Sequence, residues 1–109
     1  MAITRKVLGQ ANPSATSLTT LYTVPASTST VCSTLTVCNQ AAVSGTFRAS
    51  VRVAGAADNA KQYLFYDAPI DANGTVALTI GLTLTATDIV SVYASSATMS
   101  FSLFGEEVS

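Results

Sequence analysis

Thr75-Val76-Ala77-Leu78-Thr79-Ile80-Gly81-Leu82-Thr83-Leu84 alternates strictly between apolar and small or hydroxyl-bearing residues. Successive side chains of a β-strand point to opposite faces, so this stretch places Val76, Leu78, Ile80, Leu82 and Leu84 on one inward face and three threonines on the other. The same period of two recurs on both sides of it. Thr30 to Cys38 reads as a strand with Val31, Leu35 and Val37 on one side. Thr46, Arg48, Ser50 and Arg52 alternate with Phe47, Ala49, Val51 and Val53. Further strands are expected at Ile3 to Leu8, Ser17 to Val24, Gln62 to Asp67, Ile89 to Ala94 and Met99 to Phe104, all rich in β-branched and aromatic residues. Turn-forming clusters fall between them, at Pro25-Ala26-Ser27, Gln40 to Gly45, Gly55 to Ala60, Asp71 to Gly74, Thr85 to Asp88 and Ser95 to Ala97. Asn73-Gly74 suits a tight hairpin joining the strands on either side.

The expectation is an all-β fold: a single-domain β-sandwich of about eight strands, jelly-roll or immunoglobulin-like. The breaker-rich segment Gly9 to Thr16 sets residues 1–12 apart as an N-terminal arm or edge strand, with 13–109 as the sandwich. At 109 residues the chain fits one domain of ordinary size. Charged residues make up only 10%, while 13 Ser, 16 Thr and 17 Ala cover much of the rest. That surface is built from hydroxyls and small side chains, which lose little rotamer freedom on being covered and so suit repeated protein contacts.

Several function classes are excluded or disfavoured. The absence of histidine removes every His-based triad, metal site and proton relay. Neither cysteine has an imidazole to activate it, and the six glycines are scattered rather than grouped into a phosphate-binding loop. Asp67 with Asp71, and Glu106 with Glu107, are the neighbouring carboxylates, but without tryptophan there is little to line a glycosidase cleft. No enzymatic activity and no cofactor are expected. A net charge of -1 argues against nucleic acid as a partner, and no apolar stretch is long enough for a membrane helix or an export signal.

The charges are nonetheless segregated. Residues 1–57 carry Arg5, Lys6, Arg48 and Arg52, a sum of +4; residues 58–109 carry six acids and Lys61, a sum of -5. Two halves interleaved in one sheet system would pair these charges locally. A subunit with unlike faces, associating with copies of itself, is the alternative. Glu106 and Glu107 read as a solvated tail or as partners for Arg48 or Arg52 of a neighbouring copy. Cys32 and Cys38 lie six apart in one strand, about 20 Å at full extension, too far for a bond to each other. Tyr63, Phe65, Tyr66 and Tyr93 are candidates for an exposed aromatic cluster.

Certain strings carry a resemblance: Val7-Leu8-Gly9-Gln10 with Pro13, Leu21-Tyr22-Thr23-Val24-Pro25-Ala26, Val37-Cys38-Asn39, Phe47-Arg48 and Ser100-Phe101-Ser102-Leu103-Phe104-Gly105. Together they resemble small virion structural proteins of tailed bacteriophages. The resemblance implies a non-enzymatic part of the particle, made in the bacterial host cytoplasm: a capsid decoration or cement subunit, or alternatively a tail, baseplate or fibre component with a receptor- or glycan-binding role. It implies other virion proteins as partners, a major capsid protein or tail and baseplate proteins. It also implies a homo-oligomer, often a trimer. Leu21 to Ala26 would be a strand ending at a proline turn, with Tyr22 and Val24 in core or interface. The residues expected at interfaces are Ile3, Arg5, Lys6, Val7 and Leu8 of the arm, Arg48, Arg52 and Tyr66 of the body, and Glu106 and Glu107.

Overall fold

Residues 2–109 are described by a computed structural model, which holds eight strands: β1 (Ile3–Ala11), β2 (Thr19–Thr23), β3 (Ser29–Asn39), β4 (Gly45–Arg52), β5 (Tyr63–Ile70), β6 (Thr75–Leu84), β7 (Ile89–Ala94) and β8 (Met99–Val108). All pairings are antiparallel and nested: β1 with β8, β2 with β7, β3 with β6 and β4 with β5. The chain thus forms one long hairpin that rolls up when β8 also pairs with β3 and β7 with β4. The result is two four-stranded sheets, ordered β1-β8-β3-β6 and β2-β7-β4-β5. This pairing is a jelly roll, and it decides between the two topologies expected from the strand pattern.

The core lies between the sheets. Phe101 of the first sheet meets Phe47 of the second edge-on at 6.3 Å, and Phe65 packs on Phe47 at 6.1 Å. Leu35, Val37, Val90, Val92, Met99 and Leu103 surround them, each at most 1% exposed. Tyr22 and Val24 are also buried here.

Three expectations are corrected. Period-two alternation puts Val31 on the face of Leu35 and Val37, yet it is exposed while Cys32 is buried. An extra residue, Ser33, stands between the pairs Cys32–Gly105 and Thr34–Phe104, and this bulge flips the alternation halfway along β3. Leu8 interrupts β1 and Ile80-Gly81 interrupts β6 at the same level, so the sheet is creased across its width. Val53 leaves β4 for a short 3-10 turn (Val53–Gly55), and a second such turn spans Ala60–Gln62. Finally, Asn73-Gly74 does not close a hairpin, because β5 and β6 belong to different sheets. Asn73 adopts a φ of 52° as the third residue of an Asp71–Gly74 turn, closed by the Gly74 N–H donating to Asp71 O at 3.0 Å, and this turn carries the chain across the sandwich. It is tied to the end of β3: the Asn39 amide N–H donates to Gly74 O, and that of Asn73 to Ala41 O.

Buried Asn39 organises that end of the sandwich. Its side-chain NH2 donates to Val43 O and Asp71 O, and its Oδ1 accepts from Ala41 N and from the Thr98 hydroxyl. At the opposite end buried Asp88 plays the same part, accepting from the backbone N–H groups of Ala54 at 2.9 Å and Thr85 at 3.0 Å.

Candidate functional site

The outer face of the β2-β7-β4-β5 sheet carries the densest cluster of chemically distinctive side chains. Its centre is Arg48, on the outward phase of β4 and opposite Tyr93 of β7. On its other side the register of β5 breaks: Ala68 pairs with Phe47 and Phe65 with Ala49, leaving two residues, Tyr66 and Asp67, opposite Arg48 alone. A two-against-one bulge lets consecutive side chains serve one face, which a regular strand forbids. Asp67 takes a φ of 52° to achieve this.

Both side chains converge on Arg48. Its Nε donates to Asp67 Oδ1 at 2.7 Å and its Nη2 to Oδ2 at 3.4 Å. The guanidinium carbon lies 4.0 Å from the ring centre of Tyr66 and 4.2 Å from that of Tyr93, so the cation is held between two aromatic faces. The hydrogen bond to the Asp67 carboxylate raises Arg48 above its already high ordinary value. Tyr63 stands edge-on to Tyr66 at 5.1 Å and donates its hydroxyl to Asp58 at 2.8 Å. Burial, then this bond, pushes the Tyr63 phenol up.

A quieter row lies alongside. Ser50 is opposite Ser91 on one side and Tyr63 on the other. Arg52 Nε donates to Ser91 Oγ at 3.1 Å and its Nη1 to Ala56 O at 3.2 Å. Ser50 Oγ is the buried side-chain polar atom left without a partner among the described residues.

The remaining candidates lie on the other sheet. Arg5 pairs with Glu106 at 3.2 Å and Lys6 with Glu107 at 3.0 Å, across the β1–β8 seam. Glu106 and Glu107 are therefore not a solvated tail but part of strand β8. Their partners lie in the same chain, as Asp67 is the partner of Arg48. Each of these three ion pairs joins a cation of the first half to an acid of the second, so nesting the strands interleaves the segregated charges. Ile3 and Val7 are exposed on β1, whereas Leu8 packs against the core. Arg5, Lys6, Val31, Ser33, Phe104, Gly105 and Glu106 line a shallow depression of about 370 Å³ where the bulges crease the sheet.

The ten residues expected at interfaces thus fall on two surfaces: Arg48, Arg52 and Tyr66 on one sheet, the other seven along the β1–β8 seam. Phe65, grouped by sequence with the exposed aromatics, instead faces the core. Asp67 and Asp58 are not legible in the sequence as partners of these aromatics, because the bulge that aims Asp67 leaves no period-two signal. No family model, curated protein or solved structure matches the chain.

Proposed function

We propose that this chain is a non-enzymatic structural subunit of a bacteriophage virion, bound to the assembled particle as a capsid decoration or cement protein. The observation that carries the reading is the outer face of the β1-β8-β3-β6 sheet. Thr34, Thr36, Ser100, Ser102, Thr75, Thr79 and Thr83 share that face, and Arg5–Glu106 is the ion pair on it. Short hydroxyl side chains on a rigid sheet can be covered by a neighbour at small entropic cost, with no charge left to desolvate unpaired. The resemblance of the sequence strings to phage virion proteins supplies the virion context. The absence of catalysis in this reading is supported by the missing histidine and by ion pairing of Asp67, Glu106 and Glu107.

The test is to mix the purified chain with undecorated phage heads, sediment them and count bound copies. A fixed ratio of copies to capsid lattice positions is expected; no binding to heads would overturn the cement role.

A second reading, a tail or fibre component that binds a receptor glycan, is favoured by one observation. Tyr66 is 60% exposed beside a fixed guanidinium and two carboxylates, a combination that can stack on a sugar ring and hydrogen-bond its hydroxyls. It predicts that Tyr66→Ala abolishes adsorption to host polysaccharide while the fold is kept; unchanged adsorption would discard it.

A further inference from the structure

Four strands have a free edge: β1, β6, β2 and β5. Three are blunted in the ways proteins commonly use against edge-to-edge pairing. β2 is only five residues long. β5 has two register breaks and carries Pro69, and β6 is broken at Ile80-Gly81, where Gly81 has a φ of 56°. β1 differs, since it runs in unbroken register from Ile3 to Val7 and all five of those residues are exposed.

Its hydrogen-bond phase follows from one pair. Ala2 and Ser109 exchange both backbone hydrogen bonds, N to O at 2.8 and 2.9 Å. Bonded and non-bonded pairs alternate along an antiparallel ladder, so Thr4 and Lys6 also bond to β8. Ile3, Arg5 and Val7 therefore turn their N–H and C=O groups away from β8, toward the open edge. The side chains of these three residues share the outer face of the sheet.

We propose that β1 pairs with β1 of a second copy, antiparallel about a two-fold axis at Arg5, joining two four-stranded sheets into one of eight strands. The occupant is a second copy because this edge is complementary to itself. A register centred on Arg5 sets Ile3 opposite Val7 of the other copy, Arg5 opposite Arg5, and Val7 opposite Ile3. It is the register in which all three outward backbone sites meet outward sites, and it places an apolar pair at each end. The facing Arg5 side chains repel, but each sits 3.2 Å from its own Glu106, so the row across the seam reads acid, base, base, acid. One short strand pair buries far less than the roughly 1,600 Å² of a standard interface, so the dimer is weak and concentration-dependent. Subunits crowded on a lattice would form it by effective concentration.

This inference does not rest on the virion reading, and it is tested on the purified chain alone. Sedimentation velocity up to about 1 mM, the range appropriate to one strand pair, is expected to show a monomer–dimer equilibrium. Amide exchange at Ile3, Arg5 and Val7 should slow as concentration rises. Arg5→Pro removes an N–H that β8 does not use, and is expected to leave a folded monomer. Ile3→Glu and Val7→Lys each alter two symmetry-related contacts, and each should weaken association about tenfold. Combining Ile3→Glu with Val7→Lys sets a carboxylate against an ammonium group at both ends of the strand pair and should recover association, which decides the matter even if Arg5→Pro does not fold. A chain that stays monomeric throughout the range overturns the proposal. So does association indifferent to these substitutions, or a double variant no better than the singles.

Discussion

The phenol of Tyr22 donates a 2.5 Å hydrogen bond to Glu107, and that bond crosses from one sheet to the other. Tyr22 also shares a 2.8 Å hydrogen bond with the Thr30 hydroxyl, and Glu107 is held from its other side by Lys6. Four side chains thus close the edge of the sandwich with every polar group engaged. Burial, then the bond to Glu107, pushes the Tyr22 phenol from 10.0 up to about 12. The bonds from Tyr22 and Lys6 hold Glu107 below its ordinary 4.5.

The two shifts give stability a plateau with two defined shoulders. A lowered Glu107 stabilises the fold fully above pH 4.5, and the contribution is lost as pH falls through its folded value. A raised Tyr22 stabilises fully below pH 10.0 and is lost as pH rises toward 12. Urea titrations across pH are expected to show both shoulders. Tyr22→Phe should lower the plateau by about 1–3 kcal/mol and remove the alkaline shoulder due to this phenol.

Asp88 supplies the acceptors for two backbone donors on separate loops. Asp88→Ala leaves Ala54 N–H and Thr85 N–H without that partner, and should cost about 1–3 kcal/mol for each group that water cannot reach. Denaturation midpoints for the alanine and asparagine variants check this, with Asn expected to recover part of the loss.

Gly105 sits where the crease brings strands together, and a Cβ there would collide with the backbone carbonyl of Val31. The neighbour is main chain, so no side chain can turn aside. Gly105→Ala is expected to destabilise by about 3 kcal/mol or more, measured by thermal unfolding.

The two free thiols should separate kinetically. Cys32 is fully buried and its thiol is pushed up to about 11 by that burial, whereas Cys38 is half-buried on the outer phase of β3. Because the thiolate is the reactive form, a thiol reagent at neutral pH should modify Cys38 in the native chain and Cys32 only on unfolding. Equal labelling rates would contradict this placement.

The extent of a strand is legible in the sequence even where its phase is not. Ile89 to Ala94 is expected and found with the same bounds, and Thr30 to Cys38 is extended by one residue at each end although its alternation reverses midway. A bulge has no periodic signature, so the reversal at Ser33 that exposes Val31 cannot be read. Glu106 and Glu107 read as a tail because their strand character depends on distant partners on both sides, Thr4 and Arg5 of β1 and Thr30 and Val31 of β3. The aromatic–guanidinium cluster is half visible: Tyr66, Tyr93 and Arg48 stand out in the sequence, but only the bulge at Tyr66-Asp67 brings the carboxylate onto the same cation.

The nested pairing also dictates an order of events during synthesis. β1 leaves the ribosome first, yet the strand it pairs with is the last of the eight to be made. Only β4 and β5 are both neighbours in sequence and partners in a sheet. The nascent chain can therefore form that one central pairing early. It must hold its earliest strand in waiting until β8 emerges, so closure comes late and depends on the chain reaching β8 intact.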